Sequence, residues 1–179
     1  MKVCAQRFNH ILVAALLAWM LCGCLTNMRN RQPMAALSIY LEFTTDNAAE
    51  VNGMQSVSVL RSSPVLVTIA REPILTEANV VAAKVINTPE APAIEIRFDE
   101  NGTWILEQYS ATNPGRHFVI NGKWGEKLKE SRYLAAPLIT RRIANGILSF
   151  TPDMSREEAN QFVLGLNNYA KQFQTKAFE

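Results

Sequence analysis

The sequence predicts an α+β domain: a mixed or antiparallel sheet with helices on one face. Two patterns predict it. Apolar residues alternate with period two from Leu37 to Phe98, the signature of half-buried strands. Three- and four-residue apolar spacing appears only after Gly102 and again after Ser155, the signature of amphipathic helices. Strands therefore lead, followed by a helix, more strands and a last helix. That order suits a sheet with segregated helices, and a ferredoxin-like split βαβ is one specific form of it.

The elements follow in order. Leu37, Ile39, Leu41 and Phe43 point one way, with Ser38, Tyr40 and Glu42 opposite, as a first strand. Thr45-Asp-Asn and Asn52-Gly53 carry turn chemistry. Val57 and Val59 mark a second strand, ended by Arg61-Ser-Ser-Pro64. Val65, Val67 and Ile69 alternate as a third, and Pro73 stops it. Thr76-Glu-Ala-Asn predicts a helical turn before a strand at Val80 to Ile86. Pro89 and Pro92 bracket a loop, and Ile94, Ile96 and Phe98 alternate again.

Asp99-Glu-Asn-Gly102 reads as a turn into a helix ending at Asn113-Pro-Gly115. Phe118 and Ile120 form a strand that Asn121-Gly122 should end. Residues 125–135 are ambiguous. Pro137-Leu-Ile139 and Ile147 to Phe150 read as short strands joined across Asn145-Gly146. Ser155 and Glu158 have capping-box spacing. Ala159, Phe162, Val163, Leu166, Tyr169, Ala170 and Phe173 then form one helical stripe.

The first 24 residues carry an address. Lys2 and Arg7 precede the apolar block Ile11 to Leu21, too short for the ~20 residues of a spanning helix. Leu21-Cys22-Gly23-Cys24 follows with the spacing of a bacterial lipobox. Cys24 is thus expected to be acylated and to become the first residue of the mature chain. Two acyl chains give stable membrane attachment where one is marginal. Residues 1–23 are the expected leader and 24–35 a short tether. A β-rich part spans 36–90 and an α+β part 91–179. The expected localisation is the cell envelope, lipid-anchored. Leu25, rather than Asp, after the cysteine points to the periplasmic side of the outer membrane in a diderm host.

Composition excludes several function classes. Of 18 basic residues against 16 acidic, Lys2 and Arg7 leave with the leader, so the mature chain is near neutral. Nucleic-acid binding has no electrostatic basis there. All three cysteines lie at positions 4, 22 and 24, leaving the body without disulfide or thiolate chemistry.

The second half carries a resemblance. Ala93-Ile-Glu-Ile-Arg-Phe-Asp-Glu-Asn-Gly102 is a strand leading into a helix, and Gly115-Arg-His-Phe-Val-Ile-Asn-Gly-Lys123 is a strand and turn. Ala136-Pro-Leu-Ile139, Arg141, Ile143 and Gly146 follow, then Phe150-Thr-Pro-Asp-Met-Ser-Arg-Glu-Glu-Ala159. In this order, over residues 93–170, they resemble the head subdomain of the first periplasmic domain of SecD and SecDF, subunits that assist bacterial protein export. The resemblance implies the head fold and contact with an emerging polypeptide. The family couples export to proton movement through transmembrane helices that this sequence does not display, so a domain shape transfers and a motor does not.

Candidate chemistry is sparse. His117 is the single imidazole left after processing, with no acid partner evident in the sequence. Glu157-Glu158 suits the positive end of a helix dipole rather than a catalytic pair. Asp99-Glu100 lacks the acidic ladder of a calcium loop. No catalytic residue, metal site or cofactor is expected. Trp124, Arg132, Tyr133, Arg141 and Arg142 combine charge with aromatic surface and are the candidate partner surface. The expected function is a non-catalytic, lipid-anchored domain that binds a polypeptide or protein partner. The alternatives are a structural envelope lipoprotein that contacts glycan or another lipoprotein, and a hydrolase built on His117.

Overall fold

A computed structural model describes residues 32–43, 53–61, 63–89 and 91–174. Cys24 and the leader lie outside the described residues, as do the Thr45-Asp-Asn and Asn52 turn positions. The order is β1 (Ala36–Leu41), β2 (Met54–Val59), β3 (Val65–Ala70), β4 (Leu75–Thr76), β5 (Val80–Asn87), β6 (Pro92–Phe98), α1 (Glu100–Thr112), β7 (Phe118–Trp124), β8 (Glu130–Ala135), β9 (Ile147–Phe150) and α2 (Arg156–Gln174). All strand pairs are antiparallel. They form a four-stranded sheet in the order β4-β1-β7-β8, a three-stranded sheet β5-β6-β9 and the β2-β3 hairpin. This is the expected α+β class. A split βαβ would keep the strand after α1 in the same sheet as β6, one strand away. Here that strand, β7, lies between β1 and β8 instead.

The alternation of β1 does what its period requires. Leu37, Ile39 and Leu41 are buried, and they pair in register with Gly122, Ile120 and Phe118. Their face joins Leu75, Val80, Ile94, Ile96 and Phe98 with Leu106 of α1 and Phe162 and Leu166 of α2 in one apolar core. The opposite face of the same sheet is covered too. Val57, Val59, Val67 and Ile69 of the hairpin pack on Val119, with Tyr40, Tyr133 and Ala136 at the margin. This double cover explains the uninterrupted apolar run Phe118-Val-Ile120, all fully buried.

Three expectations change. Asn121-Gly122 does not end β7, which runs on to Trp124. Gly122 is a packing glycine: a Cβ there would stand 2.6 Å from Leu134 Cδ1 and 2.9 Å from Phe162 Cε2. Pro137-Leu-Ile139 makes an isolated bridge, His117 to Leu138, and does not pair with β9; β9 pairs with β6. Pro33 to Ala35, assigned to the tether, lie against α2: Asn168 Nδ2 donates to the Pro33 carbonyl at 2.9 Å, and Ala35 is buried beside Gly165. The two sequence halves also interleave, since β1 pairs with β7 along its whole length.

Both helices are capped as their sequences require. Asp99 is the N-cap of α1 and accepts from Gly102 N at 2.6 Å, so the helix opens two residues before Gly102. At α2, Ser155 Oγ accepts from Glu158 N at 3.2 Å and Ser155 N donates to Glu158 Oε2 at 2.7 Å, the complete capping box.

Candidate partner surface

The five residues expected to form a partner surface do not form one patch. Trp124 is a core residue, 2% exposed, set edge-on to Phe162 with centroids 6.0 Å apart. Its alternation with Ile120 and Gly122 on the inner face of β7 puts it there. Arg132 covers it: the guanidinium carbon lies 4.9 Å from the Trp124 ring centroid, and Nη2 donates to Glu158 Oε1 at 2.5 Å. Nη1 of Arg132 is buried and makes no hydrogen bond. Tyr133, the next residue, faces the hairpin and sits 6.4 Å from Tyr40. Burial is the main reason its phenol is held above the usual value, with the neighbouring Tyr40 adding to it.

Around Arg132 the start of α2 is a charge cluster. Arg61, just past the end of β2, holds Asp153 with its backbone N at 2.9 Å and its Nε at 3.1 Å. Partial burial pushes the Asp153 carboxyl up, but the Arg61 hydrogen bonds with the Arg61 and Arg132 charges prevail and hold it below its ordinary value. Glu158 is also held low, first by the Ser155 backbone N–H and then, against some burial, by Arg132. The Arg61–Asp153 pair therefore pins the tip of the hairpin to the segment just before α2.

Arg141 and Arg142 lie on a different element, the loop after β8. Arg142 pairs with Glu107 of α1, and the Ile143 N–H donates to the buried Ser110 Oγ at 2.8 Å. These contacts fasten the loop to α1 and leave Arg141 exposed.

His117 has an acid partner that the sequence did not disclose. Its Nδ1 lies 2.6 Å from Glu42 Oε2, and its backbone N donates to the same oxygen at 2.9 Å. Glu42 N in turn donates to the His117 carbonyl at 2.9 Å. The pair is 75 positions apart in the chain, so no local spacing announces it. It acts as a staple where β1 ends and β7 begins. Among the described residues no three His, Cys, Asp or Glu side chains gather closely enough to hold a metal ion.

The surface that sequence reasoning passed over is apolar. Leu66 is 77% exposed and Trp104 61% exposed, with Val65 half exposed beside Leu66. Leu66 did carry a signal: it is an apolar residue out of phase with Val65, Val67 and Ile69. Leu60, at the end of β2, holds a left-handed backbone (φ 68°) and is also exposed. The hairpin tip is thus an apolar edge held in place by Arg61.

Antiparallel sheets sharing a core with two capped helices, and a separately packed hairpin, define an α+β head domain. Residues 54–170 match the family SecDF, P1 head subdomain, which takes in the hairpin as well as the 93–170 region where the sequence resemblance lies. The chain belongs to that family. Among solved structures it is similar to a membrane component SecDF that enhances protein export, at 18% identity and a TM-score of 0.50, over 76% of this chain and 63% of that one. It is also similar to SecDF in a super-membrane-facing form, at 16% identity and a TM-score of 0.51, over 76% of this chain and 19% of that one. The chain therefore spans less than two thirds of either SecDF chain. No curated protein sequence matches it. Among the described residues no helix is long and apolar enough to cross a membrane.

Proposed function

We propose that this chain is a non-catalytic head domain, held at the cell envelope by an acylated Cys24, that binds a polypeptide in connection with protein export. The observation that carries this reading is the family match over residues 54–170, joined to the lipobox at Leu21 to Cys24. The relatives supply the link with export, one of them being described as enhancing it. Exposed Leu66 and Val65 on a two-stranded hairpin supply a physical route. An extended chain can pack on such a surface and pair with strand backbone, which gives affinity without a demand for one sequence.

The experiment is site-specific photocrosslinking in cells from Leu66, with mass spectrometry of the adducts. Many different secreted chains captured from this position, and lost in Cys24→Ala, is the expected result. One fixed envelope protein or glycan captured instead would replace this reading with a structural one. His117→Ala tests the hydrolase alternative: full complementation is expected, because the imidazole here ties two strand ends together through Glu42.

A further inference from the structure

We propose that the Tyr169–Phe173 pair at the end of α2 rests on the lipid surface and gives the domain a second attachment beside the anchor. The inference rests on the Cys24 reading above. Phe173 continues the buried stripe of α2 by spacing, yet it is 49% exposed, because the helix runs past the core that covers Phe162 and Leu166. Its ring stacks on Tyr169 with centroids 4.5 Å apart and planes 26° apart, so the two present one aromatic surface.

The direction of the chain fixes what lies near that surface. Met34 and Ala35 lie against Gly165, and the Pro33 carbonyl is held by Asn168. Going backwards from Ala35 to Pro33, the chain climbs α2 from residue 165 to residue 168, toward Tyr169 and Phe173. Pro33 thus lies toward the aromatic end of α2. Nine residue steps lead from Cys24 to Pro33. At full stretch they reach ~30 Å, and as a flexible chain about 17 Å. Arg29 and Arg31 within that stretch favour an anionic headgroup layer. An aromatic pair with an apolar body and one phenol hydroxyl suits the bilayer interface. The opposite end of α2, 19 residues long and so about 28 Å away, carries the Arg61–Asp153 clasp and the hairpin tip. A surface contact at Phe173 would turn that tip away from the membrane.

The cysteine-free body makes the test direct. Mature acylated protein carrying Gln172→Cys, labelled with an environment-sensitive dye, is reconstituted in vesicles of phosphatidylethanolamine and phosphatidylglycerol. Leu66→Cys is labelled in parallel. The expected result is a blue shift and quenching by brominated lipid at residue 172, neither at residue 66, and loss of both at 172 when Tyr169→Ser and Phe173→Ser are added. Mass spectrometry of the N-terminal peptide reports acylation independently. An acylated protein whose dye at 172 is quenched no more than at 66 overturns this inference alone. Quenching at 172 that survives the double substitution also overturns it. An unmodified Cys24 overturns both this inference and the anchor.

Discussion

Gly122 has a role its neighbour Asn121 disguises. Asn-Gly is the strongest short turn signal, but here it sits inside the central strand of a sheet buried on both faces. The missing side chain makes room for Leu134 and Phe162. Gly122→Ala forces both to move, and overpacking of this kind costs about 1–3 kcal/mol. Urea unfolding should show the midpoint falling with an unchanged slope. At the same scale, Asp153 and Glu158 are held below their ordinary values in the folded state. A carboxyl lowered by folding adds stability above its unfolded value and loses it as pH falls through the folded one. Acid unfolding should therefore gain slope below about pH 4, the ordinary carboxylate range. Asp153→Asn should flatten it. An unchanged acid limb in that variant would show that the clasp contributes nothing.

At the scale of elements, β5 needs its outer edge covered. One edge pairs with β6, and at Ala83 the other is met by a side chain from α2. Asn167 Oδ1 accepts from Ala83 N at 2.8 Å, and its Nδ2 donates to the Ala83 carbonyl at 2.9 Å. One amide thus imitates a rung of the ladder and blunts an edge that would otherwise template pairing. Asn167→Ala leaves both backbone groups without these bonds, at a cost of roughly 1–3 kcal/mol. Thermal unfolding should report the loss, and light scattering should show earlier aggregation. This contact is not legible in the sequence, because a helix asparagine and a strand alanine 84 positions apart share no pattern. The Ser155–Glu158 capping box and the helical stripes are legible, because they act within three or four residues.

For the whole molecule, two cores predict two stabilities. The main core draws on both larger sheets and both helices, whereas the hairpin rests on Val119 and a few margins. Local opening follows the amount of buried apolar contact. Hydrogen exchange should therefore be faster in β2 and β3 than in β6 and β7, and Asp153→Asn should speed it in the hairpin alone. Equal protection across all four strands would mean that the hairpin opens only with the rest. Exposed Leu66 lies on the hairpin, the element expected to open first.

By itself the sequence determined the α+β class, the strands with clean alternation, the existence of both helices, the start of the last one at Ser155, and the resemblance to the SecDF head, while the N-cap at Asp99 came from the structure. Those signals are local: they depend on period and on contacts a few residues apart. Only the tertiary structure decided that Trp124 is core, that Arg132 and Arg142 pair with Glu158 and Glu107, that Glu42 reaches His117, and that Leu66 is bare. A side chain's exposure depends on which distant segment covers it. For β7 that was a hairpin about 60 residues upstream in the sequence, a distance over which residue spacing carries no information.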